Sequence, residues 1–189
     1  MKKCAGIRNI AVFCGSRDGD EQLRMAANEL GRGIARSGCK LIYGGGDVGI
    51  MADVAVAADQ EGGEVLGIST PIALEWESQA RPIGELRIVD DMFERKKAMI
   101  NLGDAFVALP GGVGTVDETT EVMTLRGLRY HEKKLILINI NGYWDRLLEC
   151  FDELSRKNMA ADLSALGVSV VTTVSEALLH LDLPEPVQA

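Results

Sequence analysis

The stretch Ala105-Phe106-Val107-Ala108-Leu109-Pro110-Gly111-Gly112-Val113-Gly114-Thr115-Val116-Asp117-Glu118 decides the fold. Five apolar residues in a row, without polar alternation, read as a short strand buried on both faces. Proline ends that strand, the glycines supply a tight turn, and Thr115 opens a helical run that extends to residue 130. A strand that turns through glycine into a helix is the unit from which parallel sheets are built.

The same grammar recurs on both sides. Strands are expected at 10–14, 40–43, 64–68, 86–89, 105–109, 135–140 and 168–171, and several are nearly continuous apolar runs. Helices are expected between them, at 21–37, 49–61, 92–102, 115–130, 144–157 and 174–181. The first is the best patterned: Leu23, Ala26, Ala27, Leu30 and Ile34 fall on one helical face, and Gly38 supplies the stop. This alternation predicts an α/β protein of three layers, α/β/α, with a mostly parallel sheet of about seven strands in one domain spanning residues 1–189. The segment 71–84, with Pro71, Trp76 and Pro82, breaks the rhythm. It reads either as a surface excursion or as a lid facing substrate.

Composition narrows the function. The 20 Lys and Arg against 28 Asp and Glu leave a net charge of −8, which argues against nucleic-acid binding by a basic face. No apolar run is long enough to span a membrane, and the N-terminus lacks the apolar core of a secretion signal. Cys4, Cys14, Cys39 and Cys150 show no regular spacing and read as thiols of a reducing compartment, so a cytoplasmic protein is expected. His131 and His180 form no cluster with them, and no metal site is expected.

Three stretches carry chemistry. Tyr43-Gly44-Gly45-Gly46-Asp47-Val48-Gly49-Ile50-Met51 contains a formal G-x-G-x-x-G. It either brings backbone close to a ligand, with Gly45 and Gly46 as binding candidates, or is a tight turn in which Gly49 seats a helix. It follows the second strand rather than the first, and no acidic residue closes the next strand, so it makes a poor dinucleotide fingerprint. The turn at 110–114 is more informative. The free N–H groups of the following helix, its dipole and the Thr115 hydroxyl form an anion site, while Thr115 and Glu118 also fit a capping box. No Gly-Lys-Ser/Thr occurs, which excludes a P-loop. In the third, Asp90-Asp91-Met92-Phe93-Glu94-Arg95-Lys96-Lys97, bases sit in a first helical turn against the dipole. An anionic ligand would relieve this, although alone the run reads as a solvated face.

Together, P-G-G-x-G-T-x-x-E at 110–118, M-x-x-R-K at 92–96 and Y-G-G-G-x-x-G-x-M at 43–51 resemble the LONELY GUY phosphoribohydrolases, whose members are often labelled lysine decarboxylases. Asn141-Gly142-Tyr143-Trp144 is in the same style. The resemblance implies a Rossmann-like fold and a homodimer. It implies hydrolysis of cytokinin riboside 5′-monophosphates or AMP to free base and ribose 5-phosphate, without a cofactor. It makes Arg95 and Glu118 the catalytic pair, and Lys96 with Gly111, Gly112, Val113, Gly114 and Thr115 nucleotide-binding positions. Glu77 corresponds to a glutamate facing the nucleotide, and Ser16 to a serine on the phosphate side.

The chain departs from the pattern in three places. Gly15-Ser16-Arg17 stands where the family usually reads Gly-Ser-Ser, and Ala52 stands where it reads Gly. Leu125-Arg126-Gly127-Leu128-Arg129 replaces a Trp-containing helix end, with bases added near the expected base pocket or dimer seam. The competing reading is a non-catalytic nucleotide or molybdenum-cofactor carrier on the same fold, which has no need of Arg95 with Glu118. A lysine decarboxylase would need a cofactor-bearing lysine, and the lysines here lie in charged, surface-like runs.

Overall fold

Along β1 (Asn9–Phe13), Ile10 and Val12 point into one apolar cluster and Ala11 and Phe13 into another, all of them buried. A strand with no polar face needs cover on both sides, each large side chain contributing about 1.5–3 kcal/mol on burial. The computed structural model, which describes residues 6–77 and 83–183, supplies that cover. In chain order it places α1 (Glu21–Arg36), β2 (Lys40–Tyr43), α2 (Gly49–Gln60), β3 (Val65–Ser69), α3 (Pro71–Glu77), β4 (Glu85–Ile88) and α4 (Met92–Leu102). There follow β5 (Ala105–Ala108), α5 (Val113–Gly127), β6 (Leu135–Ile138), α6 (Asp145–Arg156), β7 (Val168–Val171) and α7 (Val174–His180).

The seven strands form one sheet in the order β4-β3-β2-β1-β5-β6-β7, every pair parallel. The cluster on one face takes side chains from α1, α2 and α7, and that on the other takes them from α4, α5 and α6. This is the expected three-layer α/β/α arrangement. Edge strand β4 is the least buried: Glu85 and Arg87 are exposed and discourage pairing with a further strand.

Two expectations are corrected. The segment 71–84 is not wholly irregular, because α3 occupies its first half, with the Thr70 hydroxyl accepting from the Ala73 N–H. Residues 78–82 lie outside the described structure. The helix after the glycine turn begins at Val113, two residues before Thr115, and its N-cap is Gly112 with no side-chain cap. Thr115 is therefore the third helical residue, and no capping box joins it to Glu118. The one capping box described is Thr173 with Glu176 on α7.

Candidate active site

The sheet order places the site. From β1 the chain winds outward through β2, β3 and β4, then returns to the other side of β1 as β5 and continues through β6 and β7. Loops leaving the carboxyl ends of β1 and β5 therefore diverge, and open α/β sheets bind ligands in the crevice at such a reversal. A cavity of about 780 Å³ lies there. It is walled by Gly15–Asp20 after β1, by Gly44 and the start of α2, by the turn Pro110–Gly112 with the first residues of α5, and by Arg95, Glu118 and Tyr143.

Three helices present their N-termini near this crevice, and their backbone donors fare differently. On α1, the Asp20 carboxylate accepts from the Leu23 N–H at 2.8 Å. On α2, the donors are taken by the loop after β1: Ile50 N–H donates to Arg17 O at 3.3 Å and Met51 N–H to Gly15 O at 3.1 Å. Gly49, at φ +60°, makes that contact possible, since a Cβ there would strike the backbone of Ser16 and Arg17. The first glycine turn thus approaches its own chain. On α5 the helical ladder begins with Val116 N–H to Gly112 O at 3.1 Å. The N–H groups of Val113, Gly114 and Thr115 precede it, and all three residues line the cavity. Unsatisfied donors at a helix N-terminus, with the positive end of its dipole, hold anions.

The glycine turn is fixed from two sides. Tyr143 donates its hydroxyl to Gly111 O at 2.8 Å. A Cβ at Gly111 would collide with the Thr115 side chain and lie 2.9 Å from Gly15 N, so the loops after β1 and β5 can pack this tightly only around glycine.

Arg95 is 5% exposed and rises from the first turn of α4, which Asp91 caps by accepting from the Phe93 and Glu94 N–H groups. Its Nε donates to Ile68 O and one terminal nitrogen to Gly44 O, both at 2.9 Å. Gly44 has no side chain because that guanidinium occupies the space. The fork thus ties together the carboxyl ends of β2 and β3 and sets a fixed positive charge in the cavity wall. Glu118 stands one turn into α5, partly buried and lining the same cavity.

The structure thus gathers Ser16, Arg95, Gly111, Gly112, Val113, Gly114, Thr115 and Glu118 around one space. It does not bring Gly45, Gly46 or Lys96 there. Gly45 and Gly46 are buried and absent from the cavity wall. Lys96 turns away to α5, its ammonium 2.7 Å from Glu121 and 2.9 Å from Asp117, and these carboxylates, Glu121 first, raise its pKa. Lys97 pairs with Glu94 at 3.1 Å. Internal partners therefore account for bases in that first turn without a ligand. Glu77 ends α3, and its side chain lies outside the described structure. The bases at 126 and 129 lie at the far end of α5, Arg126 roughly 20 Å along the axis from Val113 at 1.5 Å per residue. Arg126 is engaged there with Lys133 O and Glu132.

Sequence reasoning left out Tyr143, Gly44 and Arg17 as site residues. Tyr143 had a signal, the Asn-Gly-Tyr-Trp run: Asn141 adopts φ +51° and the Trp144 N–H donates to the Asn139 side chain, which fixes that turn against the glycine loop. Gly44 and Arg17 stood in quoted motifs, but what brings them to the cavity, Arg95 for Gly44 and the Ile50 N–H for Arg17, lies on distant segments.

Comparison with known proteins supplies a lineage. A family profile described as “Possible lysine decarboxylase” matches residues 51–181. The chain is 38% identical, over 93% of its length and 72% of the relative's, to a “Probable cytokinin riboside 5′-monophosphate phosphoribohydrolase” of Oryza sativa subsp. japonica. It is 40% identical to a cytokinin riboside 5′-monophosphate phosphoribohydrolase of Arabidopsis thaliana, over 93% of this chain and 82% of that one. Among solved structures, the molybdenum cofactor carrier protein of Chlamydomonas reinhardtii matches at a TM-score of 0.70 over 93% of this chain and 96% of that one. Its identity is 19%, a likeness of fold alone.

Proposed function

The chain belongs to the LONELY GUY family of cytokinin riboside 5′-monophosphate phosphoribohydrolases, and on that premise we propose that it hydrolyses the N-glycosidic bond of a purine riboside 5′-monophosphate. The products are the free base and ribose 5-phosphate. The observation that carries this reading is the pairing, on one helix, of an anion-holding end with a carboxylate. Val113, Gly114 and Thr115 offer their N–H groups to the phosphate, and Glu118 lies three residues beyond Thr115, about 4.5 Å along the axis and on the same face.

Breaking the bond from C1′ to the base leaves positive charge on the ribose ring, and the bonding electrons depart with the base nitrogen, which takes up a proton. A carboxylate beside C1′ stabilises that charge and receives a proton from the water that adds to C1′. Glu118 is assigned this work. Arg95, locked onto Ile68 O and Gly44 O, holds ribose and carboxylate in register without itself moving. The base released is adenine or its prenylated, cytokinin-type derivative. The working form is a cytoplasmic homodimer. In support, the described surface carries large exposed apolar side chains on α3, β4 and the start of α4: Ile72, Trp76, Ile88, Met92 and Phe93.

Chromatography after incubation with AMP and with isopentenyladenosine monophosphate tests the reaction. Free base is expected from the wild type, with a loss of at least about 100-fold in Glu118→Ala. Base release that survives in Glu118→Ala removes the carboxylate from the mechanism. No base from either nucleotide leaves the carrier reading.

A further inference from the structure

We propose that Arg17 is a phosphate-binding and specificity-determining residue, closing on the substrate's 5′-phosphate from the side opposite the α5 N-terminus. This rests on the phosphoribohydrolase reading and deepens it: the class favoured is the nucleoside 5′-monophosphate dianion over the nucleoside.

The argument begins with a shortage of positive charge. The chain carries −8, and the cavity wall holds three carboxylate residues, Asp18, Asp20 and Glu118. Basic side chains in that wall, among the described residues, are Arg17 and Arg95. Arg95 forks onto two backbone carbonyls. The neighbouring bases that sequence reasoning offered to the phosphate are taken: Lys96 by Glu121 and Asp117, Lys97 by Glu94. Arg17 differs, since among the described residues its guanidinium has no carboxylate or carbonyl partner. An unengaged guanidinium at the rim of an anion-holding cavity has a fork suited to two phosphate oxygens.

Its backbone is held where that fork is useful. Arg17 O accepts the Ile50 N–H, and Gly49 lets the loop lie against the start of α2. Two residues earlier, a Cβ on Gly15 would lie 3.5 Å from the Gly111 Cα, so this loop and the phosphate-facing turn are in direct contact. Both ends of the clamp thus belong to one packed unit at the β1–β5 reversal.

Titration calorimetry with ribose 5-phosphate reads the proposal without any turnover, using wild type, Arg17→Ser and Arg17→Lys. Arg17→Ser is expected to weaken binding roughly 10- to 100-fold, the loss for one hydrogen-bonded charge, and Arg17→Lys to recover part of it. The KM for AMP should rise by a similar factor, with kcat affected less. Unaltered thermal unfolding in Arg17→Ser excludes a loss through misfolding. Arg17→Ser binding ribose 5-phosphate within about twofold of wild type overturns the proposal, as does a wild type that does not bind it. Failure of the glycosidase reading shows itself separately, as phosphosugar binding without base release.

Discussion

At the scale of single residues, the three bases after Glu94 separate into three fates. Arg95 turns inward to backbone carbonyls, Lys96 crosses to α5, and Lys97 returns to Glu94 on its own helix. Adjacent positions on a helix point in directions about 100° apart, so a run of like charges in sequence becomes three environments. Arg95 also carries stability through its two backbone contacts. Arg95→Lys keeps the charge but cannot bridge Ile68 O and Gly44 O at once, and a buried carbonyl left unpaired costs on the order of 1–3 kcal/mol. Urea unfolding is therefore expected to show a loss of ~2–4 kcal/mol together with lower glycosidase activity. Wild-type stability in that variant would mean that the fork is replaceable. The place of Glu118 beside the glycine turn was legible because its motif is local. The partners of Lys96, 21 and 25 positions along the chain, were not.

At the scale of elements, the decisive difference lies among helix N-termini. α1, α4 and α7 start with Asp20, Asp91 and Thr173 as caps, whose side chains take up one or two of the first backbone donors. α5 starts with Gly112 and no side-chain cap, which leaves its first donors to the cavity. Sequence reasoning placed this start two residues late because it took Thr115 and Glu118 for the cap. Glycine carries no side chain to announce a cap, and the earlier start was invisible in the pattern. The far end of α5 answers to pH instead. In the connection to β6, His131 accepts the Lys133 N–H on Nδ1 and lies against Phe106. Burial first, then the Lys133 charge, lowers its pKa from 6.5. The folded state thus favours the neutral ring, and near pH 6 the unfolded chain binds more protons. Its contribution is complete above pH 6.5 and is lost as pH falls through 6.5 toward the folded value. With two histidines in the chain, this window is little crowded. Unfolding free energy is expected to fall from pH 7.5 to 5.5, and His131→Asn to flatten that slope. An unchanged slope in the variant would assign the dependence elsewhere.

At the scale of the whole molecule, one reversal of sheet order makes the site. Had β5 added beyond β4 instead of beside β1, the glycine turn would stand at a sheet edge, away from the loop that carries Ser16 and Arg17. The proposed dimer belongs at this scale too. Sedimentation velocity is expected to give twice the mass of the 189-residue chain, and Phe93→Glu, at a side chain 78% exposed, to shift it toward the monomer. A monomeric wild type would leave those apolar side chains to another partner.

The layers, the parallel sheet and the glycine turn that lines the cavity were already specified by the sequence. Each of these follows from hydrophobic period and turn chemistry read over a dozen neighbouring residues, where geometry is set by local backbone sterics. Which N–H groups and which cations stay unpaired among the described residues was settled by packing alone. Those depend on partners far away in the chain, such as Gly44 for Arg95, Glu121 for Lys96 and Arg17 O for Ile50. A hydrogen bond or ion pair needs its partner within about 3–4 Å, and packing alone brings such distant residues that close.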